Sequence, residues 1–236
     1  MLLLLLLVIA IAIVLFLYYD VGIVLSLLLL QVIAIAIPVI YAITVHEVAH
    51  GLIAKGFGDF TASRQGRLTL NPIAHIDMIG TVILPAVLVY LGGLVFGWAK
   101  PVPVNPYNFQ NRNRAMFFVA LAGPIANLIM AIIWSILFML FFTLSIQSLI
   151  SERFTELFSM MCWYGVFINL LLMLFNLLPI PPLDGGRVMR SIVSDKNGLL
   201  IDQLEPYGIF VVVGLLFFGF LDPLFSLVQS ITRFML

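Results

Sequence analysis

Charged residues are scarce in this chain of 236 residues: they make up 9% of it, against about 25% in soluble domains. Hydrophobic residues make up 63%. So few charges cannot cover a water-exposed surface, and the composition predicts an integral membrane protein. Eleven basic residues balance eleven acidic ones. Because the chain has no excess of basic residues, we do not expect it to bind nucleic acid.

Cysteine and targeting signals are also lacking. The single cysteine, Cys162, excludes an intrachain disulfide and is typical of a small packing residue in an apolar segment. Residues 1–19 lack the basic start and the small-residue cleavage site of a signal peptide, so we expect a retained spanning helix. No polar stretch approaches the roughly 50 residues that a soluble accessory domain needs. We expect one membrane-embedded domain over residues 1–236.

Long apolar runs predict an all-α, polytopic membrane protein with about six transmembrane helices. The predicted spans are residues 1–19, 23–53, 78–97, 116–144, 158–178 and 207–234.

The second of these runs ends in His46-Glu47-Val48-Ala49-His50. On a helix, His46 and His50 lie on one face and can share a metal ion, with Glu47 beside them. Two imidazoles on Zn²⁺ and a glutamate that takes a proton from water form the arrangement of zinc metalloproteases. The alternative is that these residues cap a helix at the membrane surface. Ionisable groups at the end of an uncharged segment favour a functional site.

Asp184 is the candidate third ligand for such a site. It follows Pro179, Pro181 and Pro182, which keep the backbone out of a helix between two apolar segments. Irregular backbone at membrane depth is buried in protein or lines a wet cavity, and a carboxylate there needs a cation. The alternative is that Asp184 caps a helix that begins near Arg187, and capping is compatible with ligation.

Three other features allow more than one interpretation. Residues 59–70 fit either a short β-hairpin near the active site, whose edge would pair with an extended substrate, or an ordinary interhelix loop. His75 is either a third ligand or, as lone loop histidines more often are, a hydrogen-bonding residue. Asn127, in an apolar helix, needs a polar partner. It ties two helices together, orients a metal ligand or donates to a reaction oxyanion.

The order of these motifs resembles the site-2 proteases, a family of intramembrane zinc metalloproteases. The resemblance rests on His46–His50, on the later Asn176–Gly186 stretch with its prolines and aspartate, and on GRLTLNPIAHID, FGWAKPVPVNP and AGPIAN. The last three stretches are similar to those of a compact bacterial branch. The chain lacks the PDZ and CBS domains of other branches, so we expect no regulation through them.

The resemblance implies one Zn²⁺ per chain. Its implied ligands are His46, His50 and Asp184, and its implied catalytic residues are Glu47 as general base and acid together with Asn127 and Asn176. The implied activity is hydrolysis of peptide bonds in or near transmembrane segments of membrane proteins. Expected partners are the lipid bilayer and a substrate such as an anti-sigma factor, a membrane-tethered regulator or a signal-peptide remnant.

The expected location is the bacterial inner (cytoplasmic) membrane. Lysines and arginines are divided too evenly between the two sides of the predicted spans to indicate an orientation. Two rival interpretations are a membrane metal transporter and a non-catalytic membrane scaffold. Neither needs Glu47. The substitution Glu47→Gln should therefore abolish turnover in a protease that keeps its zinc, and should have little effect on a transporter or a scaffold.

Overall fold

A computed structural model describes residues 20–84, 87, 90 and 97–236, and this part of the chain is helical without strands. The α-helices are α1 (Asp20–Gly56), α2 (Thr61–Arg64), α3 (Arg112–Thr143), α4 (Glu152–Asn176), α5 (Asp184–Ile192), α6 (Asp195–Leu204), α7 (Gly208–Phe217) and α8 (Asp222–Met235). Short 3₁₀ turns lie at Pro72–His75, Pro106–Asn108, Ile146–Leu149 and Glu205–Tyr207, and Met78–Ile83 is a π-helix.

Four helical stretches are long and apolar enough to cross a membrane: Leu28–Gly56, Arg112–Thr143, Glu152–Asn176 and Lys196–Phe217. The first three match predicted spans, which confirms the all-α membrane class. The predicted span 207–234 differs, because the chain breaks between α7 and α8, where Gly219 has a φ of +72°. The first predicted helix and much of the third lie outside the described residues, so the count of six stays a prediction.

The core lies among α1, α3 and α4, which pack against one another, while α5 packs on α3 and α8 packs on α4. One buried apolar cluster joins α3, α4 and α8; its members are Ala131, Trp134, Cys162, Val166, Leu170 and Val228. Cys162 is fully buried in this cluster, in keeping with the packing role expected of it. The packing turns the last turns of α1, which carry the two-histidine motif, towards α3.

Of the two interpretations of residues 59–70, the β-hairpin is wrong and the interhelix loop is correct: Thr61–Arg64 is one helical turn, followed by irregular chain. The reason lies in Asp59, whose Oδ1 accepts a hydrogen bond from the Thr61 N–H at 3.0 Å. Such a turn starts helical backbone rather than a strand. Asp59 Oδ2 also accepts from the Asn105 N–H at 2.7 Å, which joins this loop to the chain before α3. No strand edge is therefore formed by residues 59–70 to pair with a substrate.

Candidate active site

Three side chains distant in sequence meet where α1 faces the start of α5. The Nε2 atoms of His46 and His50 lie 3.0 Å apart. Asp184, the first residue of α5, brings its Oδ2 to 3.1 Å from His46 Nε2 and 3.3 Å from His50 Nε2. All three residues are at least nine-tenths buried. This group could hold a metal ion.

The outer hydrogen bonds of the two imidazoles define where their hydrogens lie. His50 Nδ1 lies 2.6 Å from the carbonyl oxygen of Val119, which can only accept, so Nδ1 carries the ring hydrogen. His46 Nδ1 lies 2.5 Å from Oδ1 of Asn127 and is likewise the donor. In the neutral rings, both Nε2 atoms therefore present lone pairs to each other and to Asp184 Oδ2. That oxygen is buried and has no hydrogen-bond partner among the residues that the structure describes.

Zinc fits this donor set. Buried acceptors that face one another without a hydrogen between them are destabilising unless a cation lies among them. Zinc binds imidazole nitrogen and carboxylate oxygen at about 2.0–2.2 Å, which puts neighbouring tetrahedral ligands about 3.3 Å apart. The three observed separations, 3.0, 3.1 and 3.3 Å, are close to that value. Three protein ligands leave one position open, as catalytic rather than structural zinc sites do.

Gly123 lets the backbone of α3 close one side of the site. A Cβ atom on this residue would lie 2.5 Å from Nε2 of both His46 and His50, so any side chain here would enter the space between the imidazoles. Such a close backbone approach is a position that only glycine can fill. The Ala-Gly-Pro stretch of α3 is thus part of the site through its lack of a side chain.

Glu47 lies beside the three-residue cluster, held by a backbone donor. Its Oε2 accepts a hydrogen bond from the N–H of Val102 at 2.7 Å. The residues on both sides of Val102 are prolines, which lack an N–H and stiffen the chain. The Oε1 atom of Glu47 makes no hydrogen bond within the described residues. One carboxylate oxygen is therefore fixed and the other is available for chemistry.

The segment that carries Val102 is itself anchored from the loop after α2. Arg67 is buried, and its Nη2 donates to the carbonyl oxygen of Lys100 at 2.8 Å. The Lys100 N–H in turn donates to the carbonyl oxygen of His75 at 2.9 Å. These bonds place the Val102 N–H against the last turns of α1.

Comparisons with known proteins agree with this geometry. The sequence model of peptidase family M50 matches residues 143–219, a range that contains Asp184. A candidate zinc metalloprotease of Bacillus subtilis, YwhC, is 42% identical over 194 residues, which cover 81% of this chain and 82% of YwhC. The chain belongs to peptidase family M50.

Two mycobacterial relatives of this M50 peptidase are also named as candidate zinc metalloproteases. Rip2 of Mycolicibacterium smegmatis is 27% identical over 74% of this chain and 63% of its own length. Rip2 of Mycobacterium tuberculosis is 30% identical over 79% of this chain and 70% of its own. No solved structure matches the chain significantly.

Family membership confirms the resemblance to the site-2 proteases. It also confirms the predicted class of activity, intramembrane proteolysis by a zinc metalloprotease that acts on membrane proteins.

Two predicted candidates lie away from the cluster in this M50 peptidase. His75 is buried with its Nε2 2.9 Å from the carbonyl oxygen of Thr69, the hydrogen-bonding role that is commoner for a loop histidine. Asn176, at the end of α4, donates from Nδ2 to the carbonyl oxygen of Leu172 at 3.0 Å. No hydrogen bond joins its side chain to the cluster within the described chain, and its catalytic role stays a prediction.

Two groups that hydrogen-bond to candidate site residues were missed in the sequence. One is the Val102 N–H, a backbone atom that only the Pro-Val-Pro pattern hints at. The other is Asn169 of α4, which accepts a hydrogen bond from Asn127 at 2.9 Å. A single asparagine in the apolar stretch YGVFINLLLML is the same signal that indicated Asn127 and was available to find it.

Proposed function

We propose that this M50 peptidase is an endopeptidase with one zinc ion held by His46, His50 and Asp184, and with Glu47 as its general base and acid. The observation that carries the proposal is the convergence of three buried lone pairs, 3.0 to 3.3 Å apart, beside the Glu47 carboxylate, one oxygen of which makes no hydrogen bond to any described residue. When bound, zinc supplies Lewis-acid polarisation of the scissile carbonyl and lowers the pKa of water.

Glu47 performs the proton transfers. Its Oε1 takes a proton from the attacking water and later delivers it to the leaving amine, while Oε2 stays on the Val102 N–H. Asn127 donates both of its amide hydrogens to protein acceptors, the carbonyl oxygen of Ala42 and Oδ1 of Asn169. This favours a role in orienting His46 over a role as hydrogen-bond donor to the reaction oxyanion. Asn176 lies half-buried where α4 gives way to the proline-rich stretch, a place from which it can contact a substrate backbone.

The substrate in this proposal is a transmembrane segment that unwinds locally, because a helical peptide bond is shielded by its own hydrogen bonds and packing. An anti-sigma factor, a membrane-tethered regulator or a signal-peptide remnant provides such a segment. The whole chain, residues 1–236, acts as one multi-pass domain. The bacterial relatives support placement in the inner membrane.

Zinc stoichiometry of purified protein tests the ligand set. We expect one zinc per chain in the wild type and in Glu47→Gln, and none in Asp184→Ala. Asp222→Ala is the matched control, because Asp222 is also the first residue of a helix, α8, and lies exposed. Zinc retained in Asp184→Ala would remove Asp184 from the ligand set. A wild type free of zinc after purification without chelators would overturn the proposal.

Cleavage in proteoliposomes tests the role of Glu47. A panel of labelled single-span membrane peptides is mixed with wild type or Glu47→Gln. The wild type should cleave members of the panel within their apolar segment, and Glu47→Gln should leave them intact at full zinc occupancy. Equal cleavage by both proteins would exclude Glu47 as the general base.

A further inference from the structure

Two asparagine side chains form a buried chain of hydrogen bonds across the three packed helices. Asn127 of α3 and Asn169 of α4 are both 0% exposed. Asn127 Nδ2 donates to Asn169 Oδ1 at 2.9 Å and to the carbonyl oxygen of Ala42 in α1 at 3.1 Å. Asn169 Nδ2 donates to the carbonyl oxygen of Gly165 at 2.7 Å. At its other end, Asn127 Oδ1 meets His46 Nδ1 at 2.5 Å.

The two backbone carbonyls determine how both amides are turned. A carbonyl oxygen can only accept, so the NH₂ group of Asn169 faces Gly165 and its Oδ1 faces Asn127. The NH₂ group of Asn127 then uses one hydrogen on Ala42 and the other on Asn169, and its Oδ1 is left for His46. Turning either amide over would set oxygen against oxygen and leave buried hydrogens unpaired, which is costly inside a membrane protein.

The same reasoning extends to the imidazole of His46. Because Asn127 Oδ1 only accepts, His46 Nδ1 must carry the ring hydrogen, and Nε2 keeps its lone pair on the side of His50 and Asp184. The opposite tautomer would point an N–H into the cluster and prevent Nε2 from binding a metal. Partners behind a ligating histidine commonly fix its tautomer and ring orientation in this way.

We propose that Asn169 is a positioning residue of the zinc site, which acts through Asn127 on the tautomer and ring orientation of His46. This rests on the proposed function, since it takes His46 as a zinc ligand. Among the described residues, the Asn169 side chain makes no hydrogen bond to His46, His50 or Asp184, and the orientation of its amide is set by the backbone of its own helix. The rotational position of α4 about its axis is therefore coupled to the tautomer and ring orientation of His46, the proposed zinc ligand on α1.

The competing account gives Asn169 a purely structural role, as a link between α3 and α4. A structural link predicts a lower melting temperature with unchanged zinc affinity in the folded protein. A positioning role predicts weaker zinc binding, and predicts that this effect disappears once Asn127 is removed. The two accounts therefore differ in a binding constant that needs no substrate to measure.

The test is zinc affinity of the purified full-length protein, measured by competition with a chromogenic chelator. We expect Asn127→Ala to weaken zinc binding by about 10- to 100-fold and Asn169→Ala by about tenfold. The double variant should match Asn127→Ala within about twofold, because residues that act through one another are not additive. Thr232→Val is the control: Thr232 is fully buried on α8, and within the described part of the chain its hydroxyl bonds only its own helix, at Val228.

Wild-type zinc affinity in folded Asn169→Ala would overturn the inference, and so would effects of the two substitutions that multiply in the double variant. If Asn169→Ala does not fold, Asn169→Leu keeps the branched shape of the side chain while removing both polar groups, and the same loss of about tenfold is expected. A wild type that binds no zinc would instead refute the proposed function. Failure of the inference and failure of the function thus give different results.

Discussion

The Oε2 atom of Glu47 accepts a hydrogen bond from the backbone N–H of Val102 at 2.7 Å, across 55 residues of sequence. Pro101 fixes its own φ, and Pro103 restricts Val102 to extended backbone, so the donor is presented by a stiff segment. Gly51 leaves room for that segment, because a Cβ atom on residue 51 would lie only 2.8 Å from Cγ1 of Val102. A carboxylate that is fixed through one oxygen keeps the direction of its other oxygen, as the proposed general base needs.

Replacement of the Val102 amide by an ester removes this donor and keeps the valine side chain. We expect kcat to fall about tenfold, because a hydrogen bond to a charged group contributes about 1.5–3 kcal/mol and Glu47 would lose its fixed orientation. Zinc content and KM should stay unchanged. The variant is made by incorporating the α-hydroxy analogue of valine and assayed on any membrane peptide that the wild type cleaves.

The same ester at Val104 is the matched control for this experiment. Val104 also follows a proline, and its N–H has no hydrogen-bond partner in the part of the chain that the structure describes. Its ester should have wild-type kcat. If both esters are equally active, the Val102 N–H does not orient Glu47.

Gly123→Ala should abolish zinc binding while leaving the helix intact. Alanine favours helical backbone, but its methyl group would lie 2.5 Å from Nε2 of His46 and of His50. Zinc content and the helical circular dichroism signal measure the two effects. The control is Gly214→Ala, also within a helix, where an added Cβ meets nothing within 4 Å. A zinc-loaded Gly123→Ala protein would mean that α3 can move away from the imidazoles.

The parts of the site that sequence predicted are those determined by local geometry. The four-residue spacing of His46 and His50 places both on one face of any helix, whatever the helix packs against. Asp184 required a second step, the need of a carboxylate on irregular, buried backbone for a cation. That argument identified Asp184 as a candidate. Only the fold shows how α5 brings Asp184 Oδ2 within 3.3 Å of both imidazoles.

What sequence did not predict depends on packing between distant segments. Asn169 faces Asn127 only because α3 and α4 pack at one particular rotation, and a single asparagine in an apolar helix does not reveal its partner. The β-hairpin, one of the two interpretations of residues 59–70, is wrong for a different reason. Strand-compatible residues need a neighbouring strand, whereas Asp59 binds the Thr61 N–H two residues on and begins a helical turn instead.

Asp59→Asn should destabilise the protein in a pH-dependent way. Burial alone would raise the pKa of the Asp59 carboxyl, but hydrogen bonds from Thr61, Asn105 and Asn108 outweigh it and hold that pKa below its usual 3.8. A pKa that is lower in the folded than in the unfolded state adds stability above the unfolded value. That stability is lost as the pH falls through the folded value.

The difference in melting temperature between the wild type and Asp59→Asn should therefore be largest near pH 7, where the ionised hydrogen bonds contribute about 2 kcal/mol. It should shrink as the pH falls below about 4. Asp222→Asn, at an exposed position, controls for the general effect of acid. A difference that stays constant down to acid pH would show that the charge of Asp59 does not contribute.

Removal of zinc should lower the melting temperature of the wild type, because the ion would join α1 to α5 in the folded state. A ligand that binds only the folded protein adds about 4 kcal/mol when present at 1,000 times its Kd. For a protein of this size we expect a loss of roughly 10 °C on chelation. Glu47→Gln should lose as much as the wild type, since its ligands are intact. Asp184→Ala should melt at the same temperature with or without chelator, and an equal loss in that variant would place the stabilising metal elsewhere.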